Sequence, residues 1–140
     1  MVSLINEKSG KNGTTKLRLL LDTNVIIDFL KQEKSTFDLS SLFLQHECIV
    51  SVITKLELLK YPSITHEEEK IINDFLKLVP IIPMNIAIEN ETISLCRSTR
   101  LKLPDAIIGA TAIIYDAKLV TCDSHFLEHP YGKLRLWNFS

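Results

Sequence analysis

A chain of 140 residues fits a single domain and is long enough to bury a core. At 46% hydrophobic and 24% charged, with four Gly and five Pro, it has the composition of a globular protein, which excludes collagen-like and wholly disordered chains. A net charge of −1 excludes a protein held to nucleic acid by its overall field, so any such contact must use a local patch.

Residues 1–16, "MVSLINEKSGKNGTTK", are polar and without period, and read as a flexible leader ahead of a single domain over 17–140. Apolar 17–21 then reads as a buried strand. Val25, Ile26, Phe29 and Leu30 follow at helical spacing. "STFDLSSLFLQHE" predicts a second helix capped by Ser35, and "CIVSV" a second strand. "ITKLELLKY" predicts a short helix stopped by Pro62. "THEEEKIINDFLKLV" carries a capping box, Thr65 with Glu68, and acids where the helix dipole favours them. "VPIIP" predicts a third strand, and "NIAIENETISLCRSTR" a helix with Ile86, Ile93 and Leu95 among its apolar positions. "PDAIIGATAIIYDAK" opens a further helix on Pro104. "LVTC" reads as a fourth strand, and the weak alternation of "GKLRLWNF" as a fifth at the edge. Strands alternating with helices predict an α/β domain on a mainly parallel sheet, whose sites form outside the carboxyl ends of the strands.

Four carboxylates stand at such positions. Asp22 ends the first strand, Glu57 lies in the helix after the second, Asp105 in the first turn of its helix, and Asp123 just after the fourth strand. Each has a local explanation. Asp22 and Asp123 can cap helices, Asp105 can sit at a helix dipole, and Glu57 can be solvated. Together they carry four negative charges toward one rim, where a hard divalent cation with oxygen ligands compensates repulsion and activates water. Thr23, Asn24, Thr54 and Thr121 lie beside these acids, where they can orient carboxylates or serve as ordinary turn and cap residues.

"LLLDTNVIIDFL", "SVITKLELL", "LKLPDAIIGATA" and "LVTCDSHF" occur in the order of the four motif regions of PIN domains. The chain from about Leu17 onward resembles that family, and most of all the toxin nucleases of VapBC toxin–antitoxin type. The resemblance implies a PIN-like α/β/α sandwich around a mainly parallel four- to five-stranded sheet. It also implies an Mg²⁺ or Mn²⁺ site and endonucleolytic cleavage of RNA by activated water, with a 3′ oxygen leaving group and no covalent intermediate. Carried over, Asp22, Glu57 and Asp105 match the core acids and Asp123 the fourth. Asp22, Asp105 and Asp123 would hold metal, and Glu57 would act as a further ligand or through water. The small residues Ala106, Gly109, Ala110 and Ala112 would let their helix pack close to the sheet, although Gly costs about 1 kcal/mol against Ala in a helix. Many relatives carry an Asp just before the Phe of the last motif, where this chain has His125; that removes an acid beside the core set. The family also implies a cognate antitoxin and a homodimer, with the apolar surface of "LELLKYP" and "FDLSSLFL" available to both.

Lys55, Arg97, Arg100 and Lys102 lie near the motif acids and are candidate RNA-backbone contacts, or solvated helix charges. His125 and His129 share helical spacing but lack the further ligands of a zinc site. Cys48, Cys96 and Cys122 form an odd set with no CxxC, which predicts free thiols in a reducing compartment; Cys122 reads as a buried small residue. Tyr131 and Trp137 read as packing residues. With no secretory signal and no apolar run able to span a bilayer, the expected location is the cytoplasm, with no membrane partner. Two other classes compete. A PIN-like binding or scaffold module would keep the fold without chemistry. A haloacid dehalogenase-type phosphatase would need a second Asp where Asn24 stands, and a receiver domain would need paired acids that the chain lacks.

Overall fold

In a computed structural model, residues 16–31, 39–128 and 131–137 are described. Four strands, β1 (Arg18–Leu21), β2 (Glu47–Ser51), β3 (Ile81–Ile82) and β4 (Lys118–Val120), form one sheet in the order β3-β2-β1-β4, with every pairing parallel. Among the described residues seven helices connect and flank them: α1 (Thr23–Leu30), α2 (Leu39–Gln45), α3 (Val52–Leu59), α4 (His66–Leu76), α5 (Ile86–Ser98), α6 (Leu103–Ile114) and α7 (Ser124–Glu128).

The continuous leucines of β1 follow from burial on both faces, since successive side chains of a strand point to opposite sides. Leu20 joins Ile49 and Leu119 in one core with Ile88, Leu95 and Ile108 of α5 and α6. Leu19 and Leu21 join Cys48, Val50 and Val120 in the other, with Val25, Leu42 and Phe75 of α1, α2 and α4. The result is the expected α/β/α sandwich. Among the described residues no helix is long and apolar enough to cross a membrane.

Most helix boundaries lie where local chemistry puts them. Ser51 caps α3 through the Ile53 amide at 3.1 Å. Both halves of the Thr65–Glu68 capping box form, at 2.9 and 3.0 Å. Pro104 lies in the first turn of α6.

Five readings are corrected. The described part of "GKLRLWNF", residues 132–137, is not a strand: it makes one isolated parallel bridge, Leu119 to Leu136, held by amide bonds at 2.8 and 2.9 Å. β4 ends at Val120 because its ladder partner β1 ends at Leu21 and Asp22, whose amide reaches Val120 O, already caps α1. Of the apolar positions read on α5, Leu95 faces inward beside Ile88 and Thr92, whereas Ile86 and Ile93 are exposed. Gly109 faces Leu95, Leu134 and Phe126 rather than the sheet; an added Cβ there would stand 3.3 Å from Leu95 Cδ1. Cys122 is exposed, because the strand has already ended. Ser35, His129 and the leader up to residue 15 lie outside the described residues.

Candidate functional site

The strand order places β4 beside β1 while β2 and β3 extend to the other side. The order therefore reverses between β1 and β4, which is where parallel sheets open a crevice at their carboxyl ends. Asp22 stands there, directly after β1. Its amide donates to Val120 O at 3.0 Å, so the ends of β1 and β4 are locked side by side. The residue is 4% exposed. Oδ1 accepts from the Thr23 amide at 2.8 Å and Oδ2 from the Thr121 hydroxyl at 2.7 Å. Asp22 is the N-cap of α1, so the capping reading of this residue is correct as far as it goes. Burial nevertheless pushes its pKa up from 3.8 to about 6, against the lowering effect of those two hydrogen bonds, and the charges of Asp105 and Asp123 push in the same direction. A cap alone needs neither the burial nor the like charges.

Glu57 reaches the same rim from α3. Its Oε1 accepts the Thr23 hydroxyl at 2.7 Å, and Thr23 Oγ1 also lies 3.0 Å from the buried Thr54 hydroxyl. Thr23 and Thr54 thus tie α1 to α3 and fix where Glu57 points. Asp105, half-buried in the first turn of α6, has its pKa raised by burial, then by the charges of Asp123 and Glu57; His125 and Lys102 oppose the rise. Asp123 opens α7, where its Oδ1 accepts the His125 amide at 2.9 Å and lies 3.1 Å from His125 Nδ1. Its own amide donates to Thr121 Oγ1 at 3.0 Å, so one threonine hydroxyl positions both Asp22 and Asp123.

The four acids picked from the sequence therefore share one electrostatic neighbourhood, although they come from four separate segments. Oxygen donors with surplus negative charge fit a hard cation. Among the described residues no three His, Cys, Asp or Glu side chains stand together as a ready-made chelate. An all-oxygen donor set suits Mg²⁺ or Mn²⁺ better than zinc, which favours nitrogen and sulfur ligands.

Thr23, Thr54 and Thr121 are buried hydrogen-bonding members of the rim. Asn24 is exposed on α1. Lys55, Arg97, Arg100 and Lys102 are exposed, and the charge of Lys102 opposes the raised pKa of Asp105. Tyr131 and Trp137 pack as expected: Tyr131 lies on one core with its hydroxyl 3.4 Å from His125 O, and Trp137 meets the His46 ring edge-on at 5.1 Å. Sequence reasoning passed over His46, a buried imidazole whose Nδ1 accepts the Leu17 amide at 3.1 Å. Nothing in its local pattern separates it from a solvated histidine.

The family model described as PIN domain matches residues 19–130. The chain belongs to the PIN domain family. This PIN domain is similar in structure to VapBC2 from Rickettsia felis bound to a DNA fragment from their promoter: TM-score 0.72 and 20% identity over 87% of this chain and 100% of that one. It is similar to VapBC-1 from nontypeable Haemophilus influenzae, with TM-score 0.73 and 19% identity over 88% and 98%. A toxin–antitoxin complex from Klebsiella pneumoniae gives TM-score 0.68 and 27% identity over 84% and 99%. No curated relative matches the sequence at a significant level.

Proposed function

We propose that this PIN domain is a metal-dependent endoribonuclease and the toxin of a type II toxin–antitoxin pair in the cytoplasm. One observation carries the reading: acids from four segments converge at the topological switch point, and the most buried of them is held there with its pKa raised to about 6. In this reading Asp22, Asp105 and Asp123 would hold Mg²⁺ or Mn²⁺, which when bound would lower the pKa of a water and offset charge on the phosphate. Thr121 fixes Asp22 and Asp123, and Thr23 with Thr54 fixes Glu57, which orients the attacking water or completes the ligand set. The positive end of α6 lies beside Asp105 and favours negative charge at the rim.

Likeness to toxin–antitoxin complexes supports a cognate antitoxin as partner. A groove of about 340 Å³ between α1, α3 and α4, lined by Ile27, Leu30, Leu58, Tyr61 and Ile71, offers an apolar seat for an antitoxin segment. Exposed Leu44 and Leu56 offer apolar surface for a homodimer.

The test is cleavage of a small-RNA pool by purified, antitoxin-free protein with Mg²⁺ or Mn²⁺, with chelator, and with Asp105→Asn alongside. Metal-dependent cuts that vanish in the variant are expected. A folded, metal-loaded protein that cuts nothing favours the second reading, a non-catalytic PIN-like binding module, which draws on His125 beside Asp123.

A further inference from the structure

The carboxylate rim repels a polyanion, so an RNA substrate must draw its affinity from cations elsewhere. Those named from the sequence are scattered and exposed. The structure gathers a different set at the opposite, amino-terminal edge of the sheet. There, a crevice of about 390 Å³ is lined by Lys16, Leu17, Arg18, Glu47, Asp116, Lys118 and Arg135. Its four cations face two acids.

The two arginines have structural work. Arg18 Nε bonds Glu47 Oε1 at 2.8 Å across the β1–β2 register, and its Nη1 donates to Tyr115 O at 2.7 Å. Arg135 holds Asp116, a residue at φ 52° just past the end of α6. These bonds tether both guanidinium groups at the crevice, and each group keeps further N–H donors of the kind that bind phosphate oxygens. The two lysines have no such work. Among the described residues Lys16 and Lys118 hold no carboxylate within ion-pair distance. Their charges reach inward far enough to help lower the pKa of His46. Two tethered guanidinium groups and two ammonium groups facing two carboxylates leave a surplus of two positive charges around the crevice.

We propose that this crevice binds backbone phosphate of an RNA strand, as a contact remote from the carboxylate rim. The proposal rests on the ribonuclease reading of that rim. An RNA strand is favoured over a free phosphate because Arg18 and Arg135 at the crevice are exposed, whereas small-ligand sites enclose most of their ligand. The four residues of β1 rise about 3.3 Å each, so the two edges lie on the order of 10–15 Å apart, within reach of a folded RNA.

The test measures binding of a fluorescein-labelled RNA hairpin by the full chain in EDTA, across a salt series. Lys16→Gln/Lys118→Gln is compared with Lys70→Gln/Lys77→Gln, which removes the same charge from exposed positions within and just beyond α4. The crevice variant is expected to lower the slope of log Kd against log salt by about 1.4–1.8, and the α4 variant to leave it unchanged. Amide resonances of Lys118 and Arg135 should move with the RNA. Equal slopes in the two variants would overturn the proposal. So would saturable binding of inorganic phosphate at the crevice without displacement by RNA, which assigns it to a small anion. Because no cleavage is needed in EDTA, a wild type that never cuts RNA in Mg²⁺ sinks the nuclease reading and leaves this result intact. A wild type that cuts, with unaltered slopes, sinks the crevice alone.

Discussion

Replacing Asp22 with Asn should stabilise the metal-free protein near neutral pH while removing a residue assigned to its chemistry. The folded carboxyl has its pKa near 6 against 3.8 when unfolded. A carboxylate with a raised folded pKa binds more protons folded than unfolded between those values. Stability therefore falls as pH rises from about 4 to about 6 and stays lowered above that. A shift of about 2 units at 1.36 kcal/mol each sets the full penalty at about 3 kcal/mol. Asn carries no such penalty, and its Oδ1 can keep the Thr23 amide bond. Its Nδ2 would face Thr121 Oγ1, which must then accept rather than donate; one unpaired hydroxyl hydrogen returns about 1 kcal/mol. The net expectation is a gain of about 2 kcal/mol at about pH 7.5 and none, or a small loss, at about pH 4. Urea denaturation in EDTA at both pH values reads it. Asp105 has a pKa raised in the same direction, so the difference between variant and wild type is the informative quantity. A difference that does not change with pH would refute the account of Asp22 as a buried, repelled carboxylate. Added Mg²⁺ should stabilise the wild type at the higher pH and leave the Asp22→Asn variant less affected.

Three further outcomes are expected. Thr121→Val removes a hydrogen bond to a buried charge and the bond to the Asp123 amide, which should cost about 2–4 kcal/mol in urea titration and abolish metal-induced stabilisation. Gly109→Val drives methyl groups into Leu95, Leu134 and Phe126 and should destabilise by about 1–3 kcal/mol, with a lower midpoint and an unchanged m-value. Thr65→Ala breaks the capping box of α4 and should cost about 1 kcal/mol in thermal melting, with RNA cleavage unaltered because α4 supplies no rim acid.

Much of this molecule is legible in one dimension. The apolar run of β1, the capping box of α4 and the Pro-led start of α6 are local matters, decided within a few residues by burial period, capping and backbone chemistry. Asp22, Glu57 and Asp123 are legible too, because a parallel α/β fold sends its strand ends to one rim and each sits beside a strand end or in the helix that follows; Asp105, in a helix that follows another helix, is legible only through its motif. Local pattern misled where a partner decided the outcome. Whether 132–137 becomes a strand depends on what it meets at Leu119, and it meets only enough for one bridge. The face α5 turns inward is chosen by α6 and the sheet, not by which of its isoleucines is most apolar. What only tertiary structure decides is the reversal of strand order between β1 and β4. It brings Thr121 within 2.7 Å of Asp22 across 99 positions of sequence, and it gathers Lys16, Arg18, Lys118 and Arg135 at the far edge. Neighbouring residues set propensity, but long-range pairing sets which charges must share a low-dielectric space, and the chemistry of this rim depends on that sharing.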